Sequence, residues 1–446
     1  MPLKPQLKPE NGQLLAVPKS TSALTSIFNA PYRMLASLAQ SACLGSLTKM
    51  HIGYLTVEVQ NNQIHEFGDK DSDMRAHVHV LSDSLWIRLA TFSALGFAEA
   101  FMADEVRVDN LAVLLKLFII NRDVIGDMDP FRISELLVTI LHSNIPNTIY
   151  NALNNIKAHY DLGNELFASF LDPTMTYSCP IWAKEDETLM DAQLRKIHTV
   201  LEKAQIQEGD NVLEIGTGWG ALAIEAVKKY KCKVTSLTLS KEQKVLAEQR
   251  IKAAGFSDSI TVLLQDYRTL AKDQQFDKIV TVEMLEAVGP QFLPTFFETC
   301  DQLLKKDGIL VLQVITMPES RYDSYLNSVD FIQKYIFPGG HCPSITALTT
   351  AIHQGAHGNF VINHLEDIGP HYAKALRLWR EKFCQQYDAV VASSGINSEV
   401  YDDEFKRKWE FYFAYCEAGF ATSTLGDIQI RLVREGNLSL LKGVPL

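Results

Sequence analysis

The apolar positions of this chain change their period along its length. Residues 20–48, STSALTSIFNAPYRMLASLAQSACLGSLT, carry few charges and read as helix, either a buried pair or an amphipathic helix lying at an interface. Burial is the commoner use of such a stripe and is the expectation here. Residues 50–60 and 76–81 alternate apolar and polar positions as half-buried strands do, whereas 84–104 and 110–121 return to helical spacing. Together they predict a small α+β unit, residues 21–130, closing near Pro130. His77 and His79 flank Val78 on one face of a strand; without a third ligand nearby they read as structural or surface residues.

After residue 151 the pattern becomes strand-sized apolar runs separated by amphipathic helices. Strands are expected at 211–215, 233–239, 260–264, 278–282, 309–315 and 360–364, with a late one at 427–434. Helices fall between them, for example 241–254, ended by Gly255, and 291–305, ended by the Lys306, Asp307, Gly308 turn. This alternation predicts an α/β unit over residues 151–446 built on a doubly wound parallel sheet. Residues 1–20, polar and rich in Pro and Lys, read as a flexible tail, and 131–150 as a linker.

Composition narrows the classes. With 446 residues, 47% hydrophobic and 21% charged, the chain is long enough for two packed units. A formal charge of −11 excludes a broad nucleic-acid binder but leaves room for a membrane partner, which needs only a local basic and apolar patch. Seven cysteines without a CxxC pair suggest a reducing compartment and no zinc ribbon. No secretory h-region opens the sequence. The densest apolar run, 111–120, is broken by Lys116 and falls short of the roughly 20 residues a spanning helix needs. The expected location is therefore cytoplasmic and peripheral to a membrane, and a homodimer is compatible with the sequence.

The segment NVLEIGTGWGALAIEAV sets Gly216, Gly218 and Gly220 between the first buried strand and a helix. Small residues there let a ligand approach the backbone, and the helix start offers free N–H groups. A tight strand–helix corner is the plain alternative. A nicotinamide dinucleotide site would want glycine at 221, which is Ala221, and an acid about 20 positions on, where Ser236 to Ser240 read SLTLS. A methyltransferase-type loop preceded by Glu214 fits better. Asp266, in LLQDYRTL, sits at the sheet edge where such folds bind ligands and offers an acceptor to an exocyclic amine; an exposed loop acid is the competing reading.

Seven segments in order resemble the cyclopropane-fatty-acid synthases and the mycolic-acid cyclopropanating methyltransferases. They are HYDLGNELFASFLDPTMTYSCPIW, VLEIGTGWGALAIEAV, VTSLTLSKEQ, LLQDYRTL, VTVEMLEAVGPQFLPTFF, DFIQKYIFPGGHCPS and HLEDIGPHYAKALRLWREKF. They cover nearly all of 151–446, while the N-terminal part more loosely resembles the lipid-carrier-like domain of full-length members. The resemblance implies a class I, Rossmann-like methyltransferase using S-adenosylmethionine (SAM), with Tyr177 and Ser178 near its methionine part, Thr238 and Gln243 at the adenosine and Asp266 by the adenine. It further implies methyl transfer from SAM to the double bond of an unsaturated phospholipid acyl chain, with a bicarbonate ion held by the Cys179 backbone, Glu286 and Tyr372 assisting the deprotonation that closes a cyclopropane ring.

Such chemistry needs water excluded and the partners aligned, because an isolated alkene is a poor nucleophile. It then needs a small base, the role implied for bicarbonate, and Tyr177, Phe337 and Trp182 offer aromatic faces to a cation, although each also reads as core. Cys179 lacks a neighbouring base and is not expected to be a nucleophile. Two departures stand out: Gln313 replaces a histidine common in bacterial members, and Ala287 follows Glu286 where many have histidine. Glutamine binds an anion without relaying a proton, so a methyl-branched or methylene product stays open. Small-molecule N-methylation and a lipid-binding protein with an inactive methyltransferase unit are the rival readings. The basic helix 374–383 reads as a solvated face over a packed Trp379.

Overall fold

A computed structural model of the chain describes residues 22–126, 163–393 and 401–441. The expected tail and linker lie outside the described residues. Helix α1 (Ser22–Leu47) is continuous through Pro31 rather than a helix pair. Along its described side chains one face, Ala36, Ala39, Cys43 and Leu47, is buried, while Tyr32, Met34, Leu35 and Leu38 stay exposed, so the expected burial holds for one face only.

Alternation sets the first sheet. In β1 (Tyr54–Glu58) and β3 (Arg75–Val80) every second residue, from Leu55 and Val57 to Ala76, Val78 and Val80, turns inward. The order is β2-β1-β3-β4, with β2 (Ile64–Gly68) and β4 (Val106–Val108) antiparallel to their neighbours. Neither of these was expected, since three to five residues carry too little periodicity to register. On the outer face His77 bonds Thr56 at 2.8 Å and sits 3.4 Å from Glu58, and no cluster of metal-ligating side chains occurs among the described residues. The inner face packs against α2 (Ser84–Met102) and α3 (Leu111–Ile125). Helix α2 is long and apolar enough to cross a membrane, yet it is mostly buried in the fold and kinks at Ser93 (φ 48°). Buried Asn121 staples α3 to the entry of β1, accepting from His51 and Ile52 and donating to the Ile52 carbonyl.

The chain next forms α4 (Asn164–Phe170) and α5 (Leu189–Lys203), then β5 (Asn211–Ile215), α6 (Ala221–Tyr230), β6 (Lys233–Thr238), α7 (Lys241–Ala253), β7 (Ile260–Leu264), β8 (Phe276–Val282), α8 (Leu293–Leu303) and β9 (Leu304–Thr316). Helices α9 (Glu319–Leu326), α10 (Phe331–Tyr335) and α11 (Ile345–Gly355) precede β10 (Phe360–Asp367), α12 (Pro370–Ser393), α13 (Asp403–Ala421) and β11 (Gly426–Arg434). The seven-stranded sheet has the order β10-β11-β9-β8-β5-β6-β7. Its five strands β9-β8-β5-β6-β7 are parallel, as the Rossmann-like reading requires. Strand β11 is antiparallel to β9 and β10 antiparallel to β11, so the sheet is mixed at one edge. The expected turn at 306–308 is a register break within β9, between the pairs Phe276↔Leu304 and Lys278↔Ile309.

Helix α13 joins the two sheets' helical layers. Its Phe411 packs against Phe97 and Phe101 of α2 at 6.3 and 5.8 Å, and Arg407 donates to the Met102 carbonyl at 2.6 Å. Glu99 accepts from Lys334 and Tyr335, both at 2.8 Å. A cavity of about 1380 Å³ runs from the carboxyl ends of β5 and β8 to the space between α2 and α3.

Candidate active site

Strands β5 and β8 are neighbours whose connections leave in opposite directions, which opens a crevice beyond their carboxyl ends. The glycine loop follows β5. Gly216 (φ 105°) turns with its N–H on the Leu237 carbonyl at 3.0 Å, a conformation a side chain would strain. Gly218 has open space where a Cβ would stand and lines the cavity. Gly220 (φ 88°) starts α6 but lies behind the wall, where an added Cβ would meet Ala247 at 3.4 Å; it shapes the loop by packing on α7.

Around this loop the cavity is lined by Tyr177, Ser178, Glu214, Thr238, Gln243 and Asp266. Glu214 is buried and accepts from Ser236, whose hydroxyl lies 2.7 Å from Thr217; burial pushes its carboxyl up to about 8. Thr238 donates to Gln243 at 2.8 Å, and Ser240 caps α7. Asp266 caps the turn at Tyr267 and is held by the Arg268 guanidinium at 2.6 and 2.9 Å, so it is an anchored acid rather than a loose loop residue. Lys196, fully buried, donates to Ser178 at 2.6 Å, and burial lowers its pKa. The Tyr177 hydroxyl bonds Tyr412 at 2.6 Å. Turned backbone, a helix start and polar groups facing one space fit SAM: the loop for its methionine part, and Thr238, Gln243 and Asp266 for adenosine.

Beside the loop lies a carboxylate centre. The Cys179 N–H and the Gln313 amide donate to Oε1 of Glu283 at 2.8 and 2.7 Å, and the Tyr372 hydroxyl donates to its Oε2 at 2.7 Å. The expectation put Glu286 at this position with a bicarbonate ion; the structure puts Glu283 there instead. Glu286, on the turn Leu285–Ala287, accepts from the Ile315 N–H at 2.6 Å, and its other oxygen is buried without a partner. Burial, then the charge of Glu283, raise its carboxyl to about 8. Because the donors expected to hold bicarbonate already bind a side-chain carboxylate, the ion does not fit this arrangement.

Gln313 spans the centre, donating also to Asp427 at 2.8 Å and accepting from Gln429 at 3.0 Å, which fixes its amide orientation. Asp427 is fully buried, and burial followed by the Glu283 charge raises its carboxyl well above the usual range. Burial likewise pushes the Cys179 thiol and the Tyr372 phenol up, so neither is ionised at neutral pH. Tyr177 and Phe337 line the cavity; Trp182 does not, its indole N–H donating to the His371 carbonyl at 2.9 Å under the Lys374 ammonium. Trp379, as expected, is fully buried.

Sequence reading passed over Glu283, Lys196, Asp427 and Tyr412. Glu283 carried a usable signal, since it directly follows β8 at the edge where such sheets bind ligands. The other three come from a helix or from distant strands and helices and meet only in the fold.

Residues 148–430 match the mycolic acid cyclopropane synthetase family. The chain is 40% identical over 365 residues to the tuberculostearic acid methyltransferase of Mycobacterium tuberculosis, covering 79% of this chain and 82% of that protein. It is 33% identical over 359 residues to the cyclopropane-fatty-acyl-phospholipid synthase of Escherichia coli, covering 80% and 86% respectively. Among solved structures, a cyclopropane synthase of Mycobacterium tuberculosis superposes with a TM-score of 0.57 at 30% identity, over 63% of this chain and 98% of that one. A mycolic acid cyclopropane synthase complexed with SAH and CTAB gives 0.57 at 31%, over 63% and 97%. The chain belongs to the mycolic acid cyclopropane synthetase family and is a SAM-dependent C-methyltransferase of lipid acyl chains.

Proposed function

We propose that the protein methylates the double bond of an unsaturated acyl chain carried by a phospholipid and then removes a proton from the cation so formed. The observation that carries this reading is the cavity, which continues from the glycine loop past Glu283 and Tyr372 into an apolar space between α2 and α3, walled by Leu89, Leu95, Phe97, Leu115, Phe118 and Ile119. A chain of methylenes is the ligand that such a wall stabilises, at about 25 cal/mol per Å² of apolar surface removed from water. Bound SAM supplies an electrophilic methyl group. The protein's part is to hold the alkene against it, exclude water, and face the developing charge with the rings of Tyr177 and Phe337. Contact with the bilayer is peripheral in this reading.

Loss of a proton from the new methyl closes a cyclopropane ring. A hydride shift that moves the cation to the methyl-bearing carbon, followed by loss of a methyl proton, leaves a methylene branch instead, and the 40% identity to the tuberculostearic acid methyltransferase favours a branched product over the ring. Purified protein, SAM labelled in its methyl group and vesicles of a monounsaturated phospholipid test the reading. Label in acyl chains one carbon heavier is the expected result, with NMR of the isolated acids separating ring from branch. Unlabelled acyl chains beside labelled small amines would replace the reading with N-methylation.

A further inference from the structure

We propose that the Glu283 carboxylate takes the place of a bicarbonate ion and is the catalytic base that receives the proton, so that turnover needs no added anion. The proposal rests on the acyl-chain reading above. A bicarbonate ion and a glutamate side chain present the same planar pair of oxygens, and here all three donors converge on the side chain: Cys179 N–H and Gln313 on Oε1, Tyr372 on Oε2. A second anion would have to share those donors beside a like charge. At about 4 Å, two unit charges in a protein site repel by roughly 4 kcal/mol, which lowers affinity about a thousandfold.

The two neighbouring acids are poor rivals for this role. Asp427 and Glu286 are both driven toward their protonated forms, first by burial and next by Glu283 itself. Gln313, locked between Asp427, Gln429 and Glu283, donates hydrogen bonds and takes no proton. The backbone agrees: Glu283 occupies the left-handed region (φ 49°) with its N–H on the Gln313 carbonyl at 2.8 Å, a conformation that glycine would adopt at less cost. A side chain kept at such a position has a use for its carboxylate.

The step balances without a further reactant. For ring closure, a C–H bond of the new methyl breaks and its electron pair forms the bond to the cationic carbon. For a methylene, a hydride first shifts from the methyl-bearing carbon to its cationic neighbour and a methyl C–H pair then becomes the π bond; either route neutralises the cation. The proton goes to a Glu283 oxygen, giving the carboxylic acid, and passes to solvent when product leaves.

The test compares the full-length protein with Glu283→Gly and Glu283→Gln in buffers stripped of or supplemented with bicarbonate. Glycine suits the left-handed backbone, and glutamine keeps the side chain's volume. The wild type is expected to turn over equally with and without bicarbonate and to show no bicarbonate-dependent rise in melting temperature. Glu283→Gln should lose at least about a hundredfold in kcat, the lower range for a general base, while SAM binding stays within about twofold. Glu283→Gly, its anion position emptied, should gain a bicarbonate-dependent rise in melting temperature. A wild-type rate that collapses without bicarbonate, or a Glu283→Gln variant with near-normal kcat, overturns the proposal. A wild type that methylates no acyl chain at all sinks the acyl-chain reading instead, and the melting arm still reports whether Glu283 fills the anion position.

Discussion

The Tyr372 hydroxyl donates to Oε2 of Glu283 at 2.7 Å, and the Tyr372 ring stacks on Phe420 with centroids 4.5 Å apart. The ring is thus fixed by packing and the hydroxyl by the carboxylate, so Tyr372→Phe should remove one hydrogen bond and leave the fold in place. A hydrogen bond to a charged group is worth about 1.5–3 kcal/mol, which corresponds to roughly a tenfold to hundredfold loss in kcat. Because Tyr372 acts through Glu283, it is a positioning residue, and its loss should fall on kcat with SAM affinity unchanged. Equal losses in kcat and SAM affinity would mean that the tyrosine merely holds the pocket together.

Gly218 has no atom within 4 Å of where its Cβ would stand and lies at φ 50°. Gly218→Val therefore combines backbone strain with an isopropyl group pushed into the cofactor space. The expected outcome is a folded protein whose melting temperature no longer rises with SAM. Undiminished stabilisation by SAM would place the cofactor elsewhere.

Much of this architecture is legible in the amino-acid pattern. Strand 211–215 coincides with β5, whose residues 212–215 are buried as in a parallel strand covered on both faces, and 260–264 coincides with the edge strand β7, where Ile260 and Val262 turn inward. The glycine loop was equally plain. The carboxylate centre was not, because two acids three residues apart, Glu283 and Glu286, look alike in sequence. Their roles part only when the left-handed turn at Glu283 directs its carboxylate to Cys179 and Tyr372, while Glu286 turns toward the Ile315 N–H. Asp427 and Gln429 come from the antiparallel strand β11, whose pairing with β9 places Gln429 opposite Gln313. Local periodicity carries no information about that register.

Ile119, on α3, faces the apolar end of the cavity. Ile119→Trp adds an indole to the space between α2 and α3 without approaching the glycine loop. Long acyl chains should then lose at least about tenfold in kcat/KM, an effect of about 1.4 kcal/mol, while a shortened chain and SAM binding are spared. Equal treatment of long and short chains would show that the acyl chain runs by another route.

Glu286 and Glu214 both have carboxyls raised from the ordinary 4.5 to about 8 by burial. The folded state then binds protons that the unfolded chain releases, so the stability each contributes is complete below about pH 4.5 and is lost as pH rises through about 8. Glu286→Gln keeps the shape of the protonated acid and removes one of these titrations. Near pH 6 the variant and wild type should melt within about a degree or two of each other, both carrying a neutral side chain there. Near pH 9 the wild type bears a buried charge that the variant lacks, and the variant should be the more stable by on the order of a few kcal/mol. The Ile315 N–H retains an acceptor in the amide oxygen, so the comparison isolates the charge. A variant that is destabilised equally at both pH values would show that Glu286 is held as a carboxylate throughout, and that its unpartnered oxygen faces a donor in solution.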